Sequence, residues 1–349
     1  MASSIDLEYT KAFLLKLLNT PSPTGNTDAA IALLEAEFLD LGLQGKRTTK
    51  GALLVTLPGK KSNAGRAVTA HVDTLGGMVK EIKENGRLLI SNLGGYYPGS
   101  ISGVYCAVET STGKKISGTA LLTKQSVHIH SINDVHDSAQ KLNTLEVRLD
   151  ARTRSKAETE ALGVQTGDFI SWDPRAEITG TGFIKSRHLD DKASVAAMLA
   201  AARAMTQNKI TPAHTTTFYF STYEEVGHGG AAGIPADVEE ILAIDMGVVG
   251  EGQAGDEFSV SICAKDGGGP YDLKMRRRLV ALAKTAKIPY KVDVYVNYSS
   301  DGTAAWRAGH PARVALIGPG VDSSHAYERT HQEAILNTAH LLLEYLQAE

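Results

Sequence analysis

The spacing of apolar residues divides the chain into helical and extended segments. Near the start, IDLEYTKAFLLKLLN and TDAAIALLEAEFLDLG have apolar residues at helical intervals, and the turn TPSPTGN separates them. The short runs ALLVTL and RAVTA follow and predict two buried strands. This alternation of helices and strands is typical of an α/β fold.

The pattern changes between about residues 75 and 183. Short strand-like runs are separated there by Gly, Asn, Asp and Ser, which favour turns. The runs are ISGVYCAVETSTGKKISGTALLT, SVHIHSI, LEVRLDA, GDFISWDP and AEITGTGFI. We predict that this part of the chain is an all-β unit.

Alternation then resumes. Helices are predicted at DKASVAAMLAAARAMTQ, YDLKMRRRLVALAKTAK and HQEAILNTAHLLLEYLQ, and strands at TTTFYFST, ILAID, FSVSICA, YKVDVYV and ARVALIG. The simplest architecture is an α/β domain made of residues 1–74 and 184–349, interrupted by a β-barrel-like domain at 75–183. The length of 349 residues agrees with two structural units, because single cores usually stop growing below it.

Composition and charge exclude several kinds of partner. The chain has 36 basic and 39 acidic residues, a balance that gives no reason to expect a nucleic-acid groove or an anionic membrane surface. Its two cysteines, Cys106 and Cys263, form no disulfide framework and suit a reducing compartment. Neither a signal peptide nor an uninterrupted apolar run of about 18 residues is present, so we expect a cytoplasmic protein.

Charged residues follow several predicted strands directly. FYFSTYEEVGHGG runs from a strand into Glu224 and Glu225, VTAHVDTLGG carries His71 and Asp73, and LAIDMG ends a strand on Asp245. Alone, each signal is weak: a Glu pair is more often a solvated surface, and a lone His or Asp at a strand end is often structural. In open α/β sheets, however, ligands bind at the strand ends, so we expect these side chains to meet in one crevice.

Two further segments extend this set. SRHLDDKAS places Asp190 and Asp191 immediately before a long helix, where the alternative is a pair of N-cap carboxylates that favour the helix dipole. The Gly-rich segment GPGVDSSHAYERTH follows a strand and carries Asp322, His325, Glu328 and His331.

The residue types indicate metal chemistry. Imidazole and carboxylate ligands at successive strand ends suit Zn²⁺, Co²⁺ or Mn²⁺. A carboxylate shared by two metals about 3.5–4 Å apart would give a site that polarises a carbonyl and generates hydroxide from water. One of the adjacent glutamates could then bind metal while the other shuttles the proton to the leaving amine. The predicted reaction class is metal-assisted amide hydrolysis.

With these motifs assembled, the chain resembles the TET (tetrahedral, dodecameric) aminopeptidases, a family that includes glutamyl and deblocking aminopeptidases and proteins labelled cellulase or endoglucanase. The resemblance covers almost the whole chain and rests on TPSPTG, AHVDTLGGMV, ALGVQTGDFISWDP, LDDKAS, YEEVGHGGA, AIDMG and SSDGTAAWRAGHPARVALIG in the family order. It implies a three-layer α/β/α metallopeptidase domain with a mixed sheet and an inserted PDZ-like dimerisation domain.

The resemblance also implies roles for individual residues. Asp190 would bridge two metal ions, with His71 and Asp245 on different sides of the pair. Glu225 and a C-terminal histidine would complete the ligands, and we favour His325 over His331 because it follows the strand more closely. Glu224 would be the general base, Asp73 would orient His71, and the Asp190–Asp191 peptide would be cis. His188 and His228 are expected near the ligands but not among them. The cofactor would be two divalent ions per chain, Zn²⁺ as first choice and Co²⁺ or Mn²⁺ as alternatives.

The resulting hypothesis is a metallo-aminopeptidase that removes N-terminal residues from short peptides and works as a homo-oligomer, a dimer built into a dodecamer. One alternative is a deacylase or dipeptidase that acts on N-acyl amino acids with the same metal core. A glycan hydrolase fits less well, because glycoside hydrolysis usually uses two carboxylates and no metal. A shell-forming scaffold without activity is the non-enzymatic alternative.

Overall fold

The computed structural model describes residues 5–349. These residues contain eight α-helices and nineteen strands. The helices are α1 (Leu7–Leu18), α2 (Asp28–Asp40), α3 (Ile132–Ala139), α4 (Lys156–Glu160), α5 (Leu189–Gln207), α6 (Leu273–Ala286), α7 (Asp301–Arg307) and α8 (Gln332–Gln347). The strands are β1 (Gly45–Arg47), β2 (Leu53–Leu57), β3 (Lys61–His71), β4 (Gly76–Ile82), β5 (Leu88–Leu93), β6 (Tyr105–Glu109), β7 (Lys115–Leu122), β8 (Leu145–Leu149), β9 (Phe169–Trp172), β10 (Glu177–Ile178), β11 (Phe183–Ser186), β12 (His214–Ser221), β13 (Val238–Ile244), β14 (Gly247–Val249), β15 (Val260–Asp266), β16 (Gly269–Pro270), β17 (Tyr290–Val294), β18 (Arg313–Asp322) and β19 (Glu328–His331). None of these helices has the length and apolar character needed to cross a membrane.

A mixed sheet of thirteen strands forms the centre of the larger unit. Its middle strands β12, β3, β13 and β18 are parallel, whereas β2 and β15 join them antiparallel. Ser221 at the end of β12 pairs with His71 at the end of β3, so both strands finish at the same edge of the sheet. The carboxyl ends of parallel strands meet at that edge, which positions the residues that follow them.

Both faces of this sheet are covered by apolar packing. Along β12, Phe218 and Phe220 face a core shared with α1, α2, α5, α6 and α8, while Tyr219 faces a second core on the other side with α7. Strands that are buried on both faces have nearly continuous apolar sequences, which explains the segments TTTFYFST and ILAID. The long helix α5 is almost wholly buried, and its many alanines let it lie close to neighbouring elements.

The second unit is a closed antiparallel barrel with the strand order β4-β5-β8-β7-β6-β9. It has its own apolar core, which includes Val108, Val147, Ile170 and Trp172. These strands lie within the segment for which the sequence predicts an inserted β domain. The predicted fold class, an α/β domain with a mixed sheet and an inserted β barrel, is confirmed.

Two sequence segments differ from the prediction in detail. The predicted strand SVHIHSI is wrong, because these residues form a turn and the start of α3. The segment AEITGTGFI forms β10 and β11, but β11 pairs with β19 and therefore extends the large sheet instead of the barrel.

Candidate active site and metal centre

His71 is the last residue of β3 and is buried at the edge where the parallel strands end. Its Nδ1 lies 2.9 Å from the backbone carbonyl oxygen of Asp73. A hydrogen bond donated by Nδ1 fixes the imidazole so that Nε2 points into the cluster, the orientation usual for a metal-binding histidine. Nε2 faces Asp190 Oδ1 at 3.2 Å.

Asp190 lies between two imidazoles. Its second carboxylate oxygen, Oδ2, is 3.4 Å from Nε2 of His325, so the two oxygens of one carboxylate face different histidines. Asp190 belongs to a non-helical start of α5, and the Asp190–Asp191 peptide is cis, as the family resemblance implies. Burial opposes ionisation of Asp190, but hydrogen bonds from His325 and His71 lower its pKa below the ordinary value. It therefore carries a negative charge at the centre of the cluster.

The two adjacent glutamates occupy a short 3₁₀ turn after β12, Glu224–Val226. Their backbone N–H groups both donate to the carboxylate of Asp73, at 3.1 Å for Glu224 and 3.3 Å for Glu225. The side chains then diverge: Glu224 Oε2 is 3.9 Å from Nε2 of His71, and Glu225 Oε2 is 3.5 Å from Nε2 of His325. The turn thus directs one carboxylate toward each imidazole.

Asp73 contacts both His71 and the turn that carries the two glutamates. It is fully buried, accepts a hydrogen bond of 2.7 Å from the hydroxyl of Thr24, and its carboxylate is 3.6 Å from Nδ1 of His71. Burial alone would raise its pKa, but the His71 and Thr24 contacts lower it instead. Asp73 therefore fixes the His71 ring through its backbone carbonyl and the turn that carries the glutamates through its carboxylate.

Asp245 follows the last residue of β13 and completes a buried group with His71 and Asp190. Ligand atoms of these three residues all lie within 4.8 Å of one another, so they could hold a metal ion. Gly318 of β18 permits this placement, because a Cβ at that position would lie 1.7 Å from the Asp245 carbonyl oxygen.

Of the two C-terminal histidines, the structure brings only His325 to the cluster. His331 packs against Phe183 and Phe258, and its Nε2 lies 2.9 Å from the carbonyl oxygen of Thr181. His325 has a left-handed backbone, φ 64°, which turns its ring toward Asp190 and Glu225.

The other histidines near the ligands have different surroundings. His188 is buried at the start of α5, where burial and the neighbouring Lys192 lower its pKa to about 3 and leave it neutral. His228 is exposed, stacks on Tyr223 and lies 2.8 Å from Nζ of Lys50. Neither is part of the central cluster.

Glu328 belongs to the Gly-rich segment that the sequence marks as a candidate, but no role is predicted for it there. Glu328 is buried, and its carboxylate accepts hydrogen bonds from the backbone N–H of Asp190 at 3.0 Å and from that of His325 at 3.2 Å. It therefore links the two chain segments that face each other across the cluster. Its position three residues after His325 was the only signal in the sequence.

The donor set fits a divalent cation. Burial, and then the charge of Asp190, raises the pKa of Glu225 to about 8 and that of Asp245 to about 7. Oε1 of Glu225 is buried without a hydrogen-bond partner among residues 5–349. The neighbouring histidines, His71 and His325, therefore compensate these carboxylates only in part. Carboxylate and imidazole donors together are the set that Zn²⁺, Co²⁺ or Mn²⁺ accepts.

A cavity of about 800 Å³ opens onto these groups. Asp190, Glu224, Glu225, Asp245 and His325 line its polar end. The remaining wall includes Val248, Val249, Tyr298, Arg307, Val321 and Asp322. Its size is that of an ordinary small-ligand site.

Comparisons with known proteins show what the whole chain is similar to. A family model described as M42 glutamyl aminopeptidase matches residues 51–341. A Bacillus subtilis (strain 168) protein, provisionally named aminopeptidase YhfE, is 47% identical over 339 residues, which is 97% of each chain.

Solved structures share the fold. A crystal structure of a TET aminopeptidase from a marine sediment Thaumarchaeota archaeon has a TM-score of 0.86 at 18% identity and covers 97% of both chains. The Pyrococcus horikoshii TET1 peptidase, which can assemble into a tetrahedron or a large octahedral shell, has a TM-score of 0.85 at 20% identity; the match covers 97% of this chain and 100% of that one.

Proposed function

Because the chain belongs to the M42 glutamyl aminopeptidase family, we propose that this aminopeptidase releases the N-terminal residue of short peptides with two divalent metal ions and Glu224 as general base. The observation that carries the proposal is the meeting of His71, Asp190 and Asp245 at one buried point, with Glu224 beside them.

Five residues would hold the metal ions: His71, Asp190, Glu225, Asp245 and His325. Asp190 is suited to a shared ligand because its two oxygens face the two imidazoles separately. Divalent ions bound there, Zn²⁺ as first choice, would supply Lewis acidity toward the scissile carbonyl and lower the pKa of water.

Glu224 would accept the proton of the attacking water and return it to the leaving amine. Its side chain is only 12% exposed, and its carboxylate is turned toward His71 while that of Glu225 is turned toward His325. Burial raises the pKa of Glu224 well above its ordinary value, which favours proton uptake. Asp73 would keep this base in place through the backbone N–H of Glu224.

The charge of the cavity supports a free α-amine as the group that is recognised. Asp322 lines the cavity and is neither a proposed ligand nor the proposed base, so its carboxylate could pair with an α-ammonium group. An uncharged N-acyl group would gain nothing from it. We therefore favour peptides with an unblocked N-terminus over N-acyl amino acids.

We also propose that copies of the chain form a homo-oligomer, with dimers made through the inserted segment 75–183 and a dodecamer made from dimers. The shared fold with the Pyrococcus horikoshii TET1 peptidase, which forms closed shells, supports this assembly.

The test is hydrolysis of matched aminoacyl and N-acetyl-aminoacyl chromophores by metal-loaded and chelator-treated protein, with bound metal counted. We expect turnover of free-amine substrates only, lost on chelation and restored at about two metal ions per chain. Turnover of acetylated substrates alone would replace the proposal with the deacylase alternative. Full turnover in metal-free protein would refute the metal mechanism.

A further inference from the structure

The barrel carries a second large cavity that shares no lining residue with the candidate active site. Its volume is about 840 Å³. It lies between the β4–β5 turn, the end of β8 and the loop before α4. Four arginines line it, and we call it the arginine pocket: Arg87, Arg148, Arg152 and Arg154.

Arg87 is held in place by buried groups. Its guanidinium pairs with Glu146, whose side chain is only 2% exposed and which also binds Lys83 at 2.8 Å. The turn that carries Arg87 is pinned as well, since the Gly86 carbonyl accepts a 2.9 Å hydrogen bond from the hydroxyl of Thr159. Gly86 has φ 79°, and a Cβ there would lie 2.9 Å from that hydroxyl. One side of the pocket is therefore fixed.

The other three arginines have no such partner. Among residues 5–349, no carboxylate lies within 4.0 Å of the guanidinium groups of Arg148, Arg152 or Arg154. Glu158, the only acidic residue in the lining, accepts a 2.6 Å hydrogen bond from the backbone N–H of Arg154. Positive charge thus gathers in one cavity of a chain whose net charge is −3.

We propose that the arginine pocket binds a small anion that carries two phosphate groups. Guanidinium groups bind phosphate through paired N–H donors, and a cavity of about 840 Å³ has room for more than one phosphate. Two phosphate monoesters carry roughly three to four negative charges at neutral pH. The lining offers them the three arginines without a carboxylate partner, with Glu158 as its one acidic residue. This site is separate from peptide hydrolysis and does not depend on the proposed function.

The experiment is calorimetric titration of the full-length protein with fructose 1,6-bisphosphate at constant ionic strength. Glucose 6-phosphate tests the need for two phosphates, and tricarballylate tests a carboxylate anion of similar charge. The variant Arg148→Gln/Arg152→Gln removes two exposed charges from the pocket. The control Lys274→Gln/Arg277→Gln removes two exposed charges from α6, outside the lining.

We expect one binding event per chain, with glucose 6-phosphate and tricarballylate at least tenfold weaker. The pocket variant should bind fructose 1,6-bisphosphate at least tenfold more weakly, whereas the control variant should match the parent. Absence of saturable binding, equal affinity in the pocket variant, or equal loss in the control would each overturn the proposal. A smaller assembly in the pocket variant would overturn it too, because it would assign these arginines to a contact between copies.

Discussion

Glu224 and Glu225 are neighbours in the chain, yet their carboxylates serve opposite sides of the candidate site. The 3₁₀ turn separates the side chains, and Asp73 accepts a hydrogen bond from each backbone N–H. If the proposed roles hold, removing one negative charge at Glu224 and at Glu225 has different consequences. Loss of the Glu224 charge should change proton transfer, whereas loss of the Glu225 charge should change metal binding.

We predict that Glu224→Gln keeps its bound metal and loses turnover by about two to four orders of magnitude, the usual contribution of a general acid–base group. The measurements are kcat with an aminoacyl chromophore and metal content after dialysis. Glu251→Gln is the control, because it removes an exposed carboxylate that lies outside the cavity lining. Parent-like kcat in Glu224→Gln would remove this residue from the mechanism.

A second prediction concerns Glu328, which contacts the backbone of Asp190 and His325 but not their ligand atoms. Glu328→Ala should weaken metal binding by about 10- to 100-fold, the usual effect of losing a group that orients ligands. Glu328→Gln should lose less, because its amide keeps one oxygen acceptor. Competition with a chromogenic chelator measures the affinity. Equal affinity in all three proteins would show that Glu328 does not position the ligands.

At the scale of elements, the sequence predicts where the strands end but not every partner across the site. His71, Asp190, Glu224 and Asp245 stand out because each adjoins a predicted strand or helix end. Glu328 does not, since its contact with Asp190 spans 138 positions and uses the backbone. Choosing His325 over His331 from the sequence rested on distance from a strand, whereas the structure separates them by the aromatic packing of His331.

The wrong strand at SVHIHSI has a physical cause. Its alternating apolar residues imitate a half-buried strand, but Val127 and Ile129 are 57% and 78% exposed. Alternating apolar and polar residues indicate a strand only when one face is buried. The sequence does not show whether a neighbouring strand is available for pairing. The strands β12 and β13 are predicted correctly, because burial on both faces gives them nearly continuous apolar sequences.

The opposite end of the sheet from the candidate site is tied together by a charged cluster. Glu240 of β13 is buried, lies 3.3 Å from Nε of Arg66 on β3, pairs with Arg278 on α6 and accepts a 3.0 Å hydrogen bond from Tyr345 on α8. Burial opposes its ionisation, but the Arg278 and Arg66 contacts lower the pKa of Glu240 below its ordinary value.

This shift predicts a pH dependence of stability. A depressed carboxylate pKa contributes stability that is present above the unfolded-state pKa of about 4.3 and is lost as pH falls through the lower folded-state pKa. Glu240→Gln should therefore lower the free energy of unfolding by roughly 3 kcal/mol at pH 7, as expected when one partner of a buried ion pair is removed. The difference from the parent should shrink below about pH 4.3.

Urea unfolding from pH 3.5 to 7 measures this difference. Glu239→Gln is the matched control, since Glu239 is the exposed neighbour of Glu240 on the same strand and its carboxylate is 3.9 Å from Arg313. A loss in Glu240→Gln that stays constant across this pH range would contradict the charge argument.

At the scale of the whole molecule, the inserted β domain contacts the candidate site through His325. The carbonyl oxygen of Gly95, in the segment after β5, lies 2.5 Å from Nδ1 of His325. Arg187, just before α5, donates a hydrogen bond to the carbonyl of Ser100 at 2.6 Å and another to that of Ala326 at 3.0 Å. A contact that moved the barrel would therefore also move the His325 ring.

The same unit offers a surface suited to the proposed dimer. Ile129 lies in the turn before α3, Ile132 is the first residue of α3, and the two side chains are 78% and 70% exposed. Apolar side chains this exposed in one short segment are common where another protein surface covers them.

We predict that Ile129→Asp/Ile132→Asp forms a smaller assembly than the parent, because a charge in a dry interface is costly to bury. Light scattering after size-exclusion chromatography measures the mass. Leu39→Asp is the control, since Leu39 is 67% exposed on α2 outside the barrel. An unchanged mass in the barrel variant, or an equal loss in the control, would show that this segment does not hold the assembly together.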